Sequence, residues 1–374
     1  MRGIQVEIIK DENRFSSLKP QWNKLVDQNS GSSIFLYHEW FDSAWQWCCV
    51  EGAKLWILIV WEDSILIGIC PLIQSIQKIR TLSLSVIEFL SIPDTQLNDV
   101  IIAPKKEEIV ASTLANWFIE YKSTWDLISL GKLPTPANAS FLQEVFKELG
   151  YYQSVKEETR NHFIALKGSW NSFYKDCSRR MKKGNNLAAN RLTHAGEIKL
   201  EWIRESSQVK QMLQSVINLS ILSWKKKELG ALNKEGPLAF IKRLTEHGAC
   251  SHWVSIWILY LDNIPTAYEY QLIHKDNIYA LRSDYDTSKA WLSPGTYLNW
   301  KIIEQLFQQS LIRYYFGPGD NAYKLRWTET AEPLKKICIY NRNVTAHIFY
   351  CLEEQIIPKL RYLRNLINKQ LLHN

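Results

Sequence analysis

The sequence predicts an α/β protein of two similar lobes with mixed sheets, followed by a C-terminal helix. Three observations predict it. The 374-residue length exceeds one ordinary compact domain. Two strand–turn–strand units lie far apart in the chain, at Leu55–Ile73 and Trp253–Ile273. Each is followed by alternating strands and helices in a similar order, the pattern of a mixed sheet covered by helices.

In the first unit, apolar residues Leu55–Trp61 run to a turn at Glu62-Asp63-Ser64 and return along Ile65–Ile73. Strands are expected at Leu84–Leu90 and Asp99–Ile102, then a helix over Lys106–Tyr121 with Val110, Leu114, Trp117 and Phe118 on one face. A strand at Asp126–Leu130 and a helix at Ala137–Leu149, stopped by Gly150, complete the lobe. The second unit turns at Asp262-Asn263 and continues into a strand at Asn277–Ser283. Next come a helix over Gly295–Ser310, a strand at Arg313–Phe316, a short helix near Tyr323–Thr328 and a strand at Lys335–Tyr340. A basic helical segment, Trp170–Leu192, joins the halves, and no Gly/Ser linker separates them, so the lobes are expected to pack together. The expected divisions are 1–168, 169–345 and a C-terminal amphipathic helix at 346–374. That helix, over Ile348–Leu372, aligns Leu352, Ile356, Leu360, Leu363, Ile367 and Leu371, with Pro358 expected to kink it. Its stripe suits docking on the second lobe, or contact with a membrane surface or partner protein.

Composition excludes several classes. No apolar run is long enough to span a bilayer, and Met1–Phe15 has no apolar signal core. Seven cysteines without a C-x-x-C spacing fit a reducing, cytoplasmic setting. The histidines form no metal-ligand spacing, so no metal site is expected, and there is no P-loop, G-x-G-x-x-G or G-x-S-x-G. A net charge of +7 suits an anionic ligand, yet no DNA-binding module accompanies it.

The informative stretch is Ala280–Thr328. A strand ends near Ser283, a polar loop carries Asp284 and Asp286, and Ser293-Pro294-Gly295-Thr296 opens an amphipathic helix. Ser is a preferred N-cap, Pro fits the first turn and Gly permits close approach. Free N–H groups at such a helix start suit a pyrophosphate, although a well-capped ordinary helix has the same pattern.

Asp286, Ser293-Pro294-Gly295 and Gly317-Pro318-Gly319-Asp320-x-x-Tyr323-Lys324-x-x-Trp327 resemble the D…(S)PG…G-x…YK-x-x-W pattern of a branch of the GNAT acyltransferase superfamily. That branch includes proteins of cellulose and other exopolysaccharide biosynthesis. Ser223-Trp224-Lys225, Arg179-Arg180 with Arg191-Leu192, Trp22-x-x-Leu25, Phe35 to Trp40 with Trp45, and Gly68-x-x-Pro71-Leu72 resemble further elements of it. The resemblance implies two GNAT-like lobes with the donor site in the second. It implies acetyl-CoA or another acyl-CoA as co-substrate and a small-molecule or glycan-linked amine or hydroxyl as acceptor, in cell-surface polysaccharide or envelope metabolism. Two alternatives stand beside it: a Fem-type transferase using aminoacyl-tRNA, and a degenerate lobe pair serving as a binding or assembly partner. The usual Q/R-x-x-G-x-G/A loop is absent, with Gly295 the one glycine at the helix start.

Acyl transfer needs a base for the acceptor, donors for an oxyanion and a proton for the leaving thiolate. Glu269, within Ala267–Ile273, is the first candidate base, or else a solvent-facing carboxylate. Asp286 suits either the acceptor or a cap. Tyr323 suits the thiolate and Lys324 a phosphate, unless Tyr323 and Trp327 only pack one helical face. Ser293, Gly295 and Thr296 are the remaining donor-site candidates. Trp224, Lys225, Asp320 and Trp327 are the candidate substrate contacts, with helix packing the plain alternative for Trp224. The Arg179–Lys183 run suits CoA phosphates, an anionic glycan, a membrane surface or simple solvation.

Overall fold

The computed structural model describes residues 3–29 and 31–362. The strands in chain order are β1 (Ile4–Ile9), β2 (Lys54–Leu55), β3 (Ile57–Glu62), β4 (Ile65–Cys70) and β5 (Leu72–Ile79). Then come β6 (Leu82–Phe89), β7 (Ile101–Ile102), β8 (Leu127–Leu133), β9 (Gln153–Ala165) and β10 (Ile198–Ile203). The last are β11 (Val254–Leu261), β12 (Ile264–His274), β13 (Asn277–Tyr285), β14 (Arg313–Pro318) and β15 (Ala331–Tyr340). They form a four-stranded sheet, β1-β3-β4-β7, and an eleven-stranded sheet, β10-β11-β12-β13-β14-β9-β15-β8-β6-β5-β2. The fold is α/β, with mixed sheets.

The duplication is visible in the connections. In each half a parallel strand pair is joined through a helix: β6 to β8 through Glu107–Glu120, and β13 to β14 through Pro294–Leu306. Each half then runs through a further helix into one more strand, and these two strands are exchanged. β9, from the first half, pairs with β14, and β15, from the second, pairs with β8. β9 and β15 also pair with each other, so the large sheet crosses the lobe boundary without a break.

Side chains explain the local structure. The turn between β11 and β12 places Asp262 and Asn263 at φ 51° and 62°, the left-handed pair that a two-residue hairpin loop requires. Gly68 on β4 lies under Val110, and a Cβ there would come within 2.6 Å of Val110 Cγ1. Trp22, Phe35, Trp40 and Trp45 are buried. Trp40 meets Phe240 of the other half edge-on at 5.4 Å, within an apolar core that both halves share.

Three expectations need correction. The basic segment is two helices, Trp170–Asp176 and Arg179–Ala195, because Ser178 turns its side chain to cap the second. The C-terminal helix begins at Val344, capped by Asn343, and Phe349 seals a small core with Leu84, Val86 and Tyr340. It continues past Pro358 after widening to a π-helical turn over Cys351–Ile356. That wide turn holds the Glu354 carbonyl that proline cannot serve. Leu363, Ile367 and Leu371 lie outside the described residues. No helix among the described residues is long and apolar enough to cross a membrane.

Candidate active site

β13 and β14 pair only over Asn277–Tyr279 and Arg313–Tyr315. Beyond those residues β13 stays with β12 as far as Tyr285, while β14 follows β9 as far as Pro318. The strands therefore open into a V whose vertex lies at Ala280 and Phe316. A register shift at Tyr270/Gln271 places Ala280 opposite Gln271 and Arg282 opposite Tyr270, leaving Leu281 as the extra residue beside the vertex.

The helix Pro294–Leu306 buries Leu298, Ile302, Ile303 and Leu306 against the sheet. Its start lies over the open end of the V, where a Cβ on Gly295 would approach the Tyr285 ring to 3.2 Å. Ser293 does not cap this helix as expected. It adopts the left-handed conformation, φ 58° and ψ 47°, and its hydroxyl makes no capping bond. A side-chain N-cap normally needs extended backbone. The preceding short turn, Thr287–Leu292, ends at Ser293 and imposes the left-handed geometry instead. Thr296 is half-buried in the first turn. Asp286 caps that preceding turn, its Oδ1 accepting from the Ser288 amide at 2.9 Å and hydroxyl at 2.8 Å.

One wall of the V comes from the segment after the helix Ser206–Leu222. Lys225 donates to the Ser283 carbonyl at 2.7 Å and pairs with Asp284 at 3.1 Å. Asp284 also accepts from the Ser223 hydroxyl at 2.9 Å and from the Tyr268 hydroxyl at 3.0 Å. Trp224 beside them is exposed. Arg282 donates to Asp94 through Nε at 2.7 Å and to the Gly230 carbonyl at 2.6 Å. A loop of the first lobe thus reaches the second lobe's central strand. Lys132 braces that loop, its ammonium donating to the carbonyls of Ile92, Pro93 and Thr95. Burial pushes the Lys132 pKa down to about 8.

On the opposite face, Glu269 is 3% exposed. Its Oε1 accepts from the Tyr314 hydroxyl and the Gln271 amide, each at 2.7 Å. Burial raises its pKa above the usual carboxylate range. Glu269 is therefore a core carboxyl and not the solvent-facing group that was the alternative. Tyr323 lies edge-on to Phe316 at 6.3 Å, and burial, with the Glu269 charge adding to it, pushes its phenol upward. Lys324 is 4% exposed and donates to the carbonyls of Gly317 and Pro318, both at 2.8 Å. Burial lowers its pKa to about 8.

Asp320 is exposed and pairs with His162 at 2.7 Å. Trp327 is buried and packs toward Trp170 at 6.5 Å, so its indole is core rather than cleft surface. Tyr323 is thus within electrostatic reach of Glu269, Lys324 bonds to the end of β14, and Asp286 belongs to the turn before the helix. Sequence reasoning placed Asp284 in a loop after the strand, whereas it lies within β13, and missed Arg282, Asp94, Gln96 and Lys132. The charged pair Arg282-x-Asp284 inside a strand was a legible signal, since such charges need partners when buried. The lobe-crossing loop gave none.

The model of the acetyltransferase (GNAT) domain matches residues 179–325. No curated protein matches the chain. Among solved structures, FemX is similar at 12% identity, with 94% of this chain and 100% of that chain covered and a TM-score of 0.57. L-PGS from Bacillus licheniformis is similar at 11% identity, with coverage of 91% and 95% and a TM-score of 0.52. A conserved protein of unknown function from Bacteroides thetaiotaomicron is similar at 9% identity, with coverage of 90% and 100% and a TM-score of 0.51. At these identities the likeness is one of fold.

Proposed function

We propose that this chain transfers an acyl group, in the first instance acetyl, from a coenzyme A thioester to an amine or hydroxyl. The parting of β13 from β14, with a helix start at the open end, carries the reading. The unpaired edge of β13 offers backbone groups to an extended amide-bearing arm, and the helix start offers N–H groups and a positive dipole end to a pyrophosphate. Arg191 donates to the Trp291 carbonyl at 3.0 Å and ties the last turns of the basic helix Arg179–Ala195 beside that mouth, while the exposed Arg179, Arg180 and Lys183 lie about three turns away at the other end of the helix.

The donor's thiol end then lies toward the vertex. There Tyr323 supplies a neutral phenol for the leaving sulfur. Lys324, fixed on two carbonyls of β14, supplies a buried cation for charge developing at the vertex. The base role goes to Glu269 rather than Asp286. Burial raises the Glu269 pKa above its ordinary value, whereas the bonds of Asp286 to Ser288 serve the turn before the helix. Trp224 and the Lys225–Asp284 pair line the V on the face away from Glu269. The motif resemblance supports an acceptor from cell-surface polysaccharide or envelope metabolism.

Calorimetric titration with CoA, acetyl-CoA and a tRNA pool tests the reading. Binding of CoA, weakened at least tenfold in a folded Gly295→Val variant, is the expected result. A folded wild-type protein that ignores CoA and acetyl-CoA refutes it, and binding of tRNA alone transfers the site to an aminoacyl donor. Once an acceptor is found, Glu269→Gln should cost a hundredfold or more in kcat with little change in donor affinity, on the order expected for a positioned base.

A further inference from the structure

We propose that Gln96, contributed by the first lobe, is the stop that sets how long an acyl group the second lobe accepts. The inference rests on the acyl-CoA reading above. With the phosphates at the helix start, the donor's arm runs inward along β13 from Tyr285 toward Ala280, and its acyl end arrives at the vertex.

The vertex is occupied by the Gln96 amide. Nε2 donates to the Ala280 carbonyl at 2.9 Å. Across the V, a Cβ on Gly317 would meet that same Nε2 at 3.4 Å, and Gly317 itself is held at φ +83°, so β14 presents bare backbone there. Oε1 accepts from Asn161 at 3.4 Å, so both ends of the amide have partners. Gln96 is 2% exposed. Its loop is fixed from two directions, by Lys132 on three carbonyls and by Asp94 on Arg282. The stop is therefore rigid and belongs to the other lobe.

Behind the amide lies room. A cavity of about 280 Å³ is lined by Gln96, Phe35, Asn161, Tyr279, Tyr315 and Arg313, among others. Gln96 both lines this cavity and meets the vertex of the V through the Ala280 carbonyl. With the full side chain in place, an acetyl group ends at the amide and each further carbon meets it. With the side chain shortened, the slot continues into the cavity. The lining is mixed, with His274, Arg313 and Glu332 beside Phe35, Tyr279 and Tyr315, so each methylene buried there gains only part of the roughly fourfold of full hydrophobic transfer.

The test is a series of dissociation constants for acetyl-, propionyl-, butyryl- and hexanoyl-CoA, measured by calorimetry on the full chain. The readout is the ratio of each to acetyl-CoA. In the wild type, affinity should fall at least tenfold from acetyl to butyryl. In Gln96→Ala the ratio should invert in favour of butyryl, and Gln96→Asn, which keeps a shorter amide, should fall between. The graded Asn variant keeps the question answerable where Gln96→Ala does not fold. Equal affinity of the wild type for acetyl- and hexanoyl-CoA overturns the proposal, as does an unchanged ratio in both folded variants. Absence of all CoA binding in the wild type is a distinct result and removes the acyl-CoA reading itself.

Discussion

The Arg282–Asp94 pair is the charged contact by which the first lobe holds the second lobe's central strand, beside the Gln96–Ala280 hydrogen bond, and removing Asp94 should be costly. The two side chains are 9% and 14% exposed. Arg282 sits between the Trp47 and Phe240 rings, each centroid 5.7 Å away, with Gly230 as its other hydrogen-bond acceptor. In Asp94→Ala the guanidinium keeps its charge and burial and loses its counter-charge. Breaking such a pair from one side costs about 3–5 kcal/mol. Arg282→Met/Asp94→Ala, which removes both charges and keeps the apolar stem between the rings, should recover most of that loss. Urea denaturation of the wild type, the two single variants and the double variant gives the cycle. A cost below about 1 kcal/mol for Asp94→Ala, or a double variant as unstable as the sum of the singles, would refute the claim that burial makes this pair matter.

Two further expectations follow from buried groups. Lys324 titrates near pH 8 in the native protein and near the ordinary lysine value when unfolded. The native state therefore sheds this proton first, and the charged form is an expense of the fold that disappears as pH rises from about 8 toward 10. Relative to Lys324→Met, wild-type stability should gain about 2 kcal/mol between pH 7.5 and 10, read from urea midpoints; a flat difference removes the buried-ammonium assignment. Phe349 is 6% exposed and closes the small core over β6 and β15. Phe349→Ala should cost about 3 kcal/mol and lower the melting temperature, whereas a change within about 0.5 kcal/mol would mean that the helix from Val344 is only loosely docked.

Legibility in the sequence followed burial. The hairpin of β11 and β12 and the helix Pro294–Leu306 announced themselves because each buries one face. Apolar periodicity reports that kind of burial directly. β9 did not. Its stretch Lys156–Arg160 is polar and largely exposed, because β9 is held there by backbone pairing with β15 and is covered on neither face. Alternation of polarity has nothing to report for such a strand. The same division runs through the site. Ser293-Pro294-Gly295 marked the helix start correctly, although Ser293 entered it in a left-handed conformation that capping statistics disfavour. Gly68 and Trp22 belonged to a recognisable pattern and proved to be packing residues. Gln96 and Lys132 act on carbonyls of other segments, so their partners are set by tertiary structure alone.

The exchange of β9 and β15 bears on whether either lobe is a unit. Residues 1–168 taken alone would carry β9 without β14 or β15, and would leave β8 without its neighbour β15. Residues 169–374 alone would leave β14, the strand that forms one arm of the V, with an open edge from Arg313 to Pro318. Exposed edges of this kind pair with other chains or aggregate. Part of the apolar core would open as well, since Trp40, Phe41 and Trp47 from the first half share it with Phe240, Tyr268 and Tyr270 from the second. The two fragments should therefore be insoluble or molten when produced singly. Produced together, they should assemble into a complex with the circular dichroism of the intact chain and, on the acyl-CoA reading, its CoA affinity within about threefold. Cooperative unfolding of the isolated 169–374 fragment within a few degrees of the intact chain would show that the exchanged strands are dispensable. In that case the first lobe's loop at Asp94 and Gln96 would be the part worth removing next, because the second lobe would then hold its own V without it.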